Sequence, residues 1–144
     1  MYRKLALAIG INTVLMYLIT YVNLAQLSHF ENNINRVYMA LLMAAPMVIV
    51  MLLVMRAMFP NVKMNLGLHV GAAVAILLLV TLIRTQTPVG NGQFLRSMIP
   101  HHSSAILMCE QSAITDPEII ELCGEIVQAQ KEEIAQMKDI LSRD

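Results

Sequence analysis

The chain has 144 residues, of which 57% are hydrophobic and only 14% charged, with a formal net charge of zero. Soluble domains average about 25% charged residues, so composition argues against a chain that is water-soluble throughout. The charges also segregate: positions 85–144 carry nine acids against four basic groups, which leaves no basic patch to release counterions from a nucleic acid.

Three uncharged apolar runs follow one another: Leu5–Val22, Val37–Met55 and Leu66–Ile83. Each reaches the ~18 residues needed to cross a hydrocarbon core, so three transmembrane helices in a lipid bilayer are predicted. The first run starts basic, with Arg3 and Lys4, as a signal peptide would. Its apolar stretch is too long for one, and no small-x-small cleavage site follows Val22. Lys and Arg in short flanks set the orientation. Arg3, Lys4, Arg56 and Lys63 fall on one side, and Arg36, Arg84 and Arg96 on the other. That places the N-terminus in the cytoplasm and the C-terminal part outside, which in a bacterium is the periplasm.

Between the first two spans, His29 and Glu31 either cap a metal path or are solvated; solvation is expected. The second span carries Met39, Met43, Met47, Met51 and Met55, every fourth residue, with Pro46 between. A step of four drifts about 40° per repeat, so the stripe winds round the helix. The third span opens with Gly67-x-x-x-Gly71, a spacing that lets helices approach closely. His69 beside it is an intramembrane ionisable group, a functional hint or an interfacial anchor.

The segment 84–93, RTQTPVGNGQ, reads as a linker. It divides a three-helix anchor, 1–84, from a soluble domain, 85–144. A helical pattern runs from about Gln93 to Ala113, with a kink or restart expected at Pro100. Asp116-Pro117 is a start signal, Asp as N-cap and Pro as first helical residue. A second helix then runs from Pro117 to about Leu141. The two make an antiparallel hairpin, so the fold class is all-α. Some 50 residues cannot bury enough apolar surface alone, so a homo-oligomer is expected, a dimer first.

The facing seams are Leu95, Met98, His102, Ala105 and Cys109 on one helix, and Ile119, Cys123, Ile126, Gln130, Glu133, Met137 and Ile140 on the other. Polar residues interrupt both at one level, where Met98, His101, His102 and Met137 converge. Imidazole and thioether together suit a soft metal, Cu(I) first. Gln130 and Glu133 would stand behind the ligands and orient the imidazoles. The plain alternative is that the methionines fill a core and the histidines hydrogen-bond Gln130 and Glu133. Cys109 and Cys123 lie equally far from Asp116. They are read as a disulfide first, then as small buried residues, then as soft-metal ligands.

The stretch from Phe94 to Leu141 resembles the ferritin-like domain-of-unknown-function family 305. The resemblance rests on Met98-Ile99-Pro100-His101-His102, Ala105-Ile106, Pro117-Glu118, Ala129-Gln130 and Glu133-Ile134-x-x-Met137. It implies half of a four-helix bundle in a secreted or membrane-attached bacterial protein, with the paired histidines as its functional feature and a likeness to periplasmic copper-binding proteins. A ferritin-like oxidase needs a Glu-x-x-His, which is missing here, so di-iron chemistry is not expected. More loosely, three spans, the Met stripe and Gly-x-x-x-Gly are similar to eukaryotic high-affinity copper transporters, whose N-terminal orientation is the opposite one.

The sequence therefore points to a membrane-anchored, periplasmic-facing copper-binding protein for metal handling or resistance. Cu(I) transport along the second helix and a metal-free oligomerisation module are the alternatives. No nucleophile–base pair with a supporting residue is evident, so an enzyme is not expected.

Overall fold

The computed structural model describes residues 1–143, and these are helical, with no strand among them. In chain order the helices are α1 (Tyr2–Ile19), α2 (Ile34–Val54), α3 (Val62–Thr85), α4 (Asn91–Gln111) and α5 (Pro117–Leu141). Short 3-10 turns occupy Leu27–His29 and Arg56–Met58. The chain forms two compact units. One joins Met1–Thr20 to Asn35–Pro88, and the other joins Tyr21–Ile34 to the chain from Val89 onward. After α3 the two units meet in sequence between Pro88 and Val89. The segment 21–34 belongs with the second unit, not with the anchor.

In the first unit, α1, α2 and α3 are each long and apolar enough to cross a membrane. They start three to four residues before the uncharged runs, because flanking polar residues join the first turns. Asn61 caps α3, its side chain accepting from the Met64 amide at 3.0 Å. At one end of the unit, Leu5, Leu52 and Phe59 form a buried cluster. The Tyr2 hydroxyl there donates to Asn65 Oδ1 at 2.8 Å. The Asn65 amide in turn donates to the Phe59 carbonyl at 2.7 Å. At the other end, Asn35 Nδ2 donates to Gln86 Oε1 at 3.0 Å, and the Tyr38 hydroxyl donates to the Thr87 carbonyl at 3.0 Å. The start of α1 therefore meets the α2–α3 connection, and the start of α2 meets the end of α3.

Large apolar side chains such as Leu7, Val14, Leu53 and Leu77 point outward from this unit. A helix apolar on all sides suits lipid. The close helix approach expected at Gly67 and Gly71 is not used: a Cβ at either would meet open space. Ala40, Ala44 and Ala72 are the small buried residues instead. The Met stripe splits as its winding requires. Met51 and Met55 pack on the Leu5–Leu52–Phe59 cluster, and Met39, Met43 and Met47 are exposed. His69 Nδ1 donates to the Asn65 carbonyl at 2.7 Å. Its Nε2 is buried and finds no partner among the described residues.

In the second unit, α4 and α5 pack against each other around Leu95, Ile99, Ile106, Ile134 and Met137. α4 runs unbroken through Pro100, so the expected restart there does not occur. The predicted α4 seam is also turned. Ile99, Ser103 and Ile106 are its most buried residues, where Met98 and Ala105 were expected. The cause is the segment 21–34, which covers the side of α4 that spacing alone leaves open. α5 begins as predicted: the Asp116 carboxylate accepts from the amides of Glu118 and Ile119.

Candidate functional site

His102 is held at mid-length of α4 with only 9% of its surface exposed. Its Nδ1 lies 2.9 Å from the Met98 carbonyl one turn back. A carbonyl only accepts, so Nδ1 carries the proton and Nε2 faces away from the helix axis. Nε2 lies 2.8 Å from Glu133 Oε2 on α5. Gln130 Nε2 donates to that same oxygen at 3.4 Å. Four residues singled out by helical spacing thus form one polar chain: Met98 through its carbonyl, then His102, Glu133 and Gln130. An ionised carboxylate has no proton to give, so a proton must lie between Nε2 and Oε2, on one atom or the other.

The thioethers lie in the adjoining core. Met137 is buried in it, and half-buried Met98 packs against it. His101 is different. It is exposed, with its ring centroid 6.1 Å from that of His102, and it stands on the outer face of α4. Among the described residues no three His, Cys, Asp or Glu side chains are grouped to hold a metal ion. Were an ion held here, one chain could offer the His102 imidazole, the Glu133 carboxylate and the Met98 and Met137 thioethers. Sulfur and imidazole suit a soft monovalent ion, whereas a hard cation would want more oxygen. Both nitrogens of His102 are engaged, so ligation at Nε2 requires Glu133 to swing aside or to join the ion. The Glu133 side chain is 52% exposed, so water could replace its contact with His102.

Cys109 and Cys123 are joined in a disulfide, with Cα atoms 5.3 Å apart. Neither is a thiolate ligand in this state. A groove of about 310 Å³ opens beside the bond, lined by Ile114, Ile120, Gly124 and Val127 among others, and by no residue of the His102 chain.

The segment 21–34 holds what helical spacing did not indicate. His29 was expected to be solvated, but it is 92% buried, its exposure being 8%. Its Nδ1 is 2.8 Å from Ser103 Oγ, and Ser103 has no exposure at all. The Ala25 amide donates to the same hydroxyl at 2.9 Å. Burial, and after it the charge of Lys138, lower the pKa of His29 from its usual 6.5. Ser103 and His29 resemble a nucleophile and its base only on paper, because no substrate reaches a fully buried hydroxyl. Asn33 is also buried, donating to the carbonyls of Glu31 and Arg96. A loop asparagine and a loop histidine among polar neighbours gave no sequence signal of this.

The molecule is thus an all-helical protein with three helices of membrane-crossing character and a disulfide-linked helical pair after them. It belongs to the family described as Domain of unknown function (DUF305), whose model matches residues 79–141. It is also similar to the uncharacterized protein L153 of Acanthamoeba polyphaga mimivirus. That relative is 34% identical over 111 residues, covering 76% of this chain and 71% of the viral one. Only 66 residues follow position 78, so this likeness reaches well into the apolar helices. No solved structure matches the chain.

Proposed function

We propose that this protein is a membrane-anchored binding protein for Cu(I), with its C-terminal unit facing away from the cytoplasm, the periplasm in a bacterium, and serving metal handling or resistance. The observation that carries the reading is the His102 imidazole. It is buried and oriented by the Met98 carbonyl, with the Met98 and Met137 thioethers in the core it adjoins. Its Nε2 reaches a half-exposed carboxylate, that of Glu133. His102, Met98 and Met137 would hold the ion, Glu133 and Gln130 would steady the imidazole, and exposed His101 would receive the ion at the surface. The α4–α5 pair is then an antiparallel hairpin, half of a ferritin-like four-helix bundle, and a second copy completes a homodimer. The disulfide supports an oxidising compartment.

Competition between the purified full-length protein and a Cu(I) chelator tests this. A fragment 85–144 is unsuitable, because it lacks the 21–34 segment that covers its core. His102→Ala should weaken Cu(I) binding far more than His101→Ala, and Zn(II) should bind less tightly than Cu(I) or Ag(I). Glu133→Gln should cost about ten- to a hundredfold, as loss of an imidazole's supporting group does. If wild type and the His101/His102 double-alanine variant compete equally, the histidines are structural and the copper reading is wrong.

A further inference from the structure

The connection between α1 and α2 is fastened to the C-terminal helices along its whole length. Asn23 Nδ2 donates to Ser104 Oγ at 2.7 Å, and the Ala25 amide donates to Ser103 Oγ. Lys138 Nζ donates to the Ser28 carbonyl at 2.7 Å. The Ile34 amide donates to Gln93 Oε1 at 2.9 Å. Ala25 itself packs on the Leu95–Ile99–Ile106–Ile134–Met137 core. At the centre, His29 and Ser103 meet where water has almost no access. The group facing His29 from α4 is the Ser103 hydroxyl, and the charged group facing it from α5 is Lys138.

This arrangement favours a neutral imidazole. Ser103 has one proton and already accepts from Ala25. With His29 neutral at Nδ1, the hydroxyl donates to the ring and both groups are satisfied. With a proton on Nδ1, the ring becomes the donor, and the serine proton loses its acceptor in a dry place. The new positive charge also lies near the Lys138 ammonium, which itself pins Ser28.

We propose that residues 21–34 are a pH-sensitive strap, which keeps the α4–α5 core covered while His29 is neutral and lets go when His29 takes a proton. The sign follows from linkage. The docked state lowers the pKa of His29, so it binds fewer protons than the released state. Docking free energy is therefore fully present above about pH 6.5, falls as pH drops below that value, and levels off beneath the lowered pKa. Release would uncover Met137 and the isoleucines around it, on the side of the membrane where the C-terminal unit lies. An acidified compartment would thus expose an apolar face that near-neutral pH hides.

Hydrogen exchange of the full-length protein in detergent, followed by mass spectrometry at pH ~7.5 and pH ~5 and corrected for intrinsic rates, reads the docking equilibrium directly. The amides of residues 24–34 should be protected at the higher pH and lose protection severalfold at the lower. His29→Gln keeps a neutral hydrogen-bonding group and should remain protected at both. His102→Gln should behave as wild type, which separates the strap from the His102–Glu133 pair. Lys138→Met should be less protected at high pH, having lost the Ser28 bond, but should show a smaller fall on acidification. That variant decides the matter if His29→Gln leaves the strap open at both pH values. Equal wild-type protection at the two pH values overturns the proposal. So does a fall in His29→Gln as large as in wild type, a transition abolished by His102→Gln, or an undiminished fall in Lys138→Met.

Discussion

A single oxygen of Glu133 faces both His102 and Gln130, and its effect on stability depends on its exposure. His102 is nearly buried and Glu133 is half in water, so solvent screens the pair and limits its strength. Glu133→Gln should lower stability by roughly 0.5–1 kcal/mol, a small downward shift in thermal melting by circular dichroism. Ser103→Ala should cost more, about 1–3 kcal/mol, because it strands the Ala25 amide and the His29 nitrogen in a dry place. The same melting experiment ranks the two, and a reversed order would mean that the buried serine is not holding the strap. The difference in legibility has the same root. His102, Gln130 and Glu133 could be placed at one level because helix geometry fixes where residues three and four apart must point. Ser103 could not, since its partners sit 74 and 78 positions away in an irregular loop, and no periodicity encodes such contacts.

Among the elements, α5 is the one whose sequence states its own limits. Asp116 accepts two amides that a helix start leaves unpaired, and Pro117 supplies a preset dihedral where no amide is needed. Asp116→Ala should therefore destabilise the α4–α5 pair by about 1 kcal/mol. The disulfide about two turns further on constrains the unfolded chain across a separation of 14 residues. The chain-entropy model gives about 3 kcal/mol for a loop of this size, so Cys109→Ser with Cys123→Ser should lower the melting temperature more than the cap variant. α4 was less legible than α5. Pro100 suggested a kink or a restart; the helix does not restart there, and Ile99 and Pro100 are themselves buried. Local propensity was overruled by tertiary contact. At the start of α3 the Gly67/Gly71 spacing predicted a close approach, yet both glycines face open space and the small buried residues are Ala40, Ala44 and Ala72.

At the scale of the whole chain, direction across the membrane decides what the rest can mean. α1, α2 and α3 have 18, 21 and 24 residues. At 1.5 Å per residue even the shortest spans about 27 Å, close to the ~30 Å hydrocarbon core. Three crossings would place the 21–34 segment and the chain after α3 on the same side. The strap's hydrogen bonds to α4 and α5 demand that same side, without any appeal to hydropathy. A chain in which only one of α2 and α3 crossed would separate them. Which side this is rests on the basic flanks: Arg3, Lys4, Arg56 and Lys63 against Arg36, Arg84 and Arg96. The difference is one charge, and it favours a cytoplasmic N-terminus. The disulfide favours the same answer from redox chemistry, since glutathione keeps cytosolic thiols reduced. A reporter enzyme that folds only outside the cytoplasm, fused at the C-terminus or inserted at Asn32, should therefore be active in both places. Inserted beside Phe59 it should be inactive. Activity at Phe59 with none at the other two sites would invert the protein, place the Cys109–Cys123 bond in a reducing compartment, and remove the oxidising-side argument for copper. Activity at Asn32 without activity at the C-terminus would be a stronger contradiction, because it would separate the strap from the helices it is bonded to.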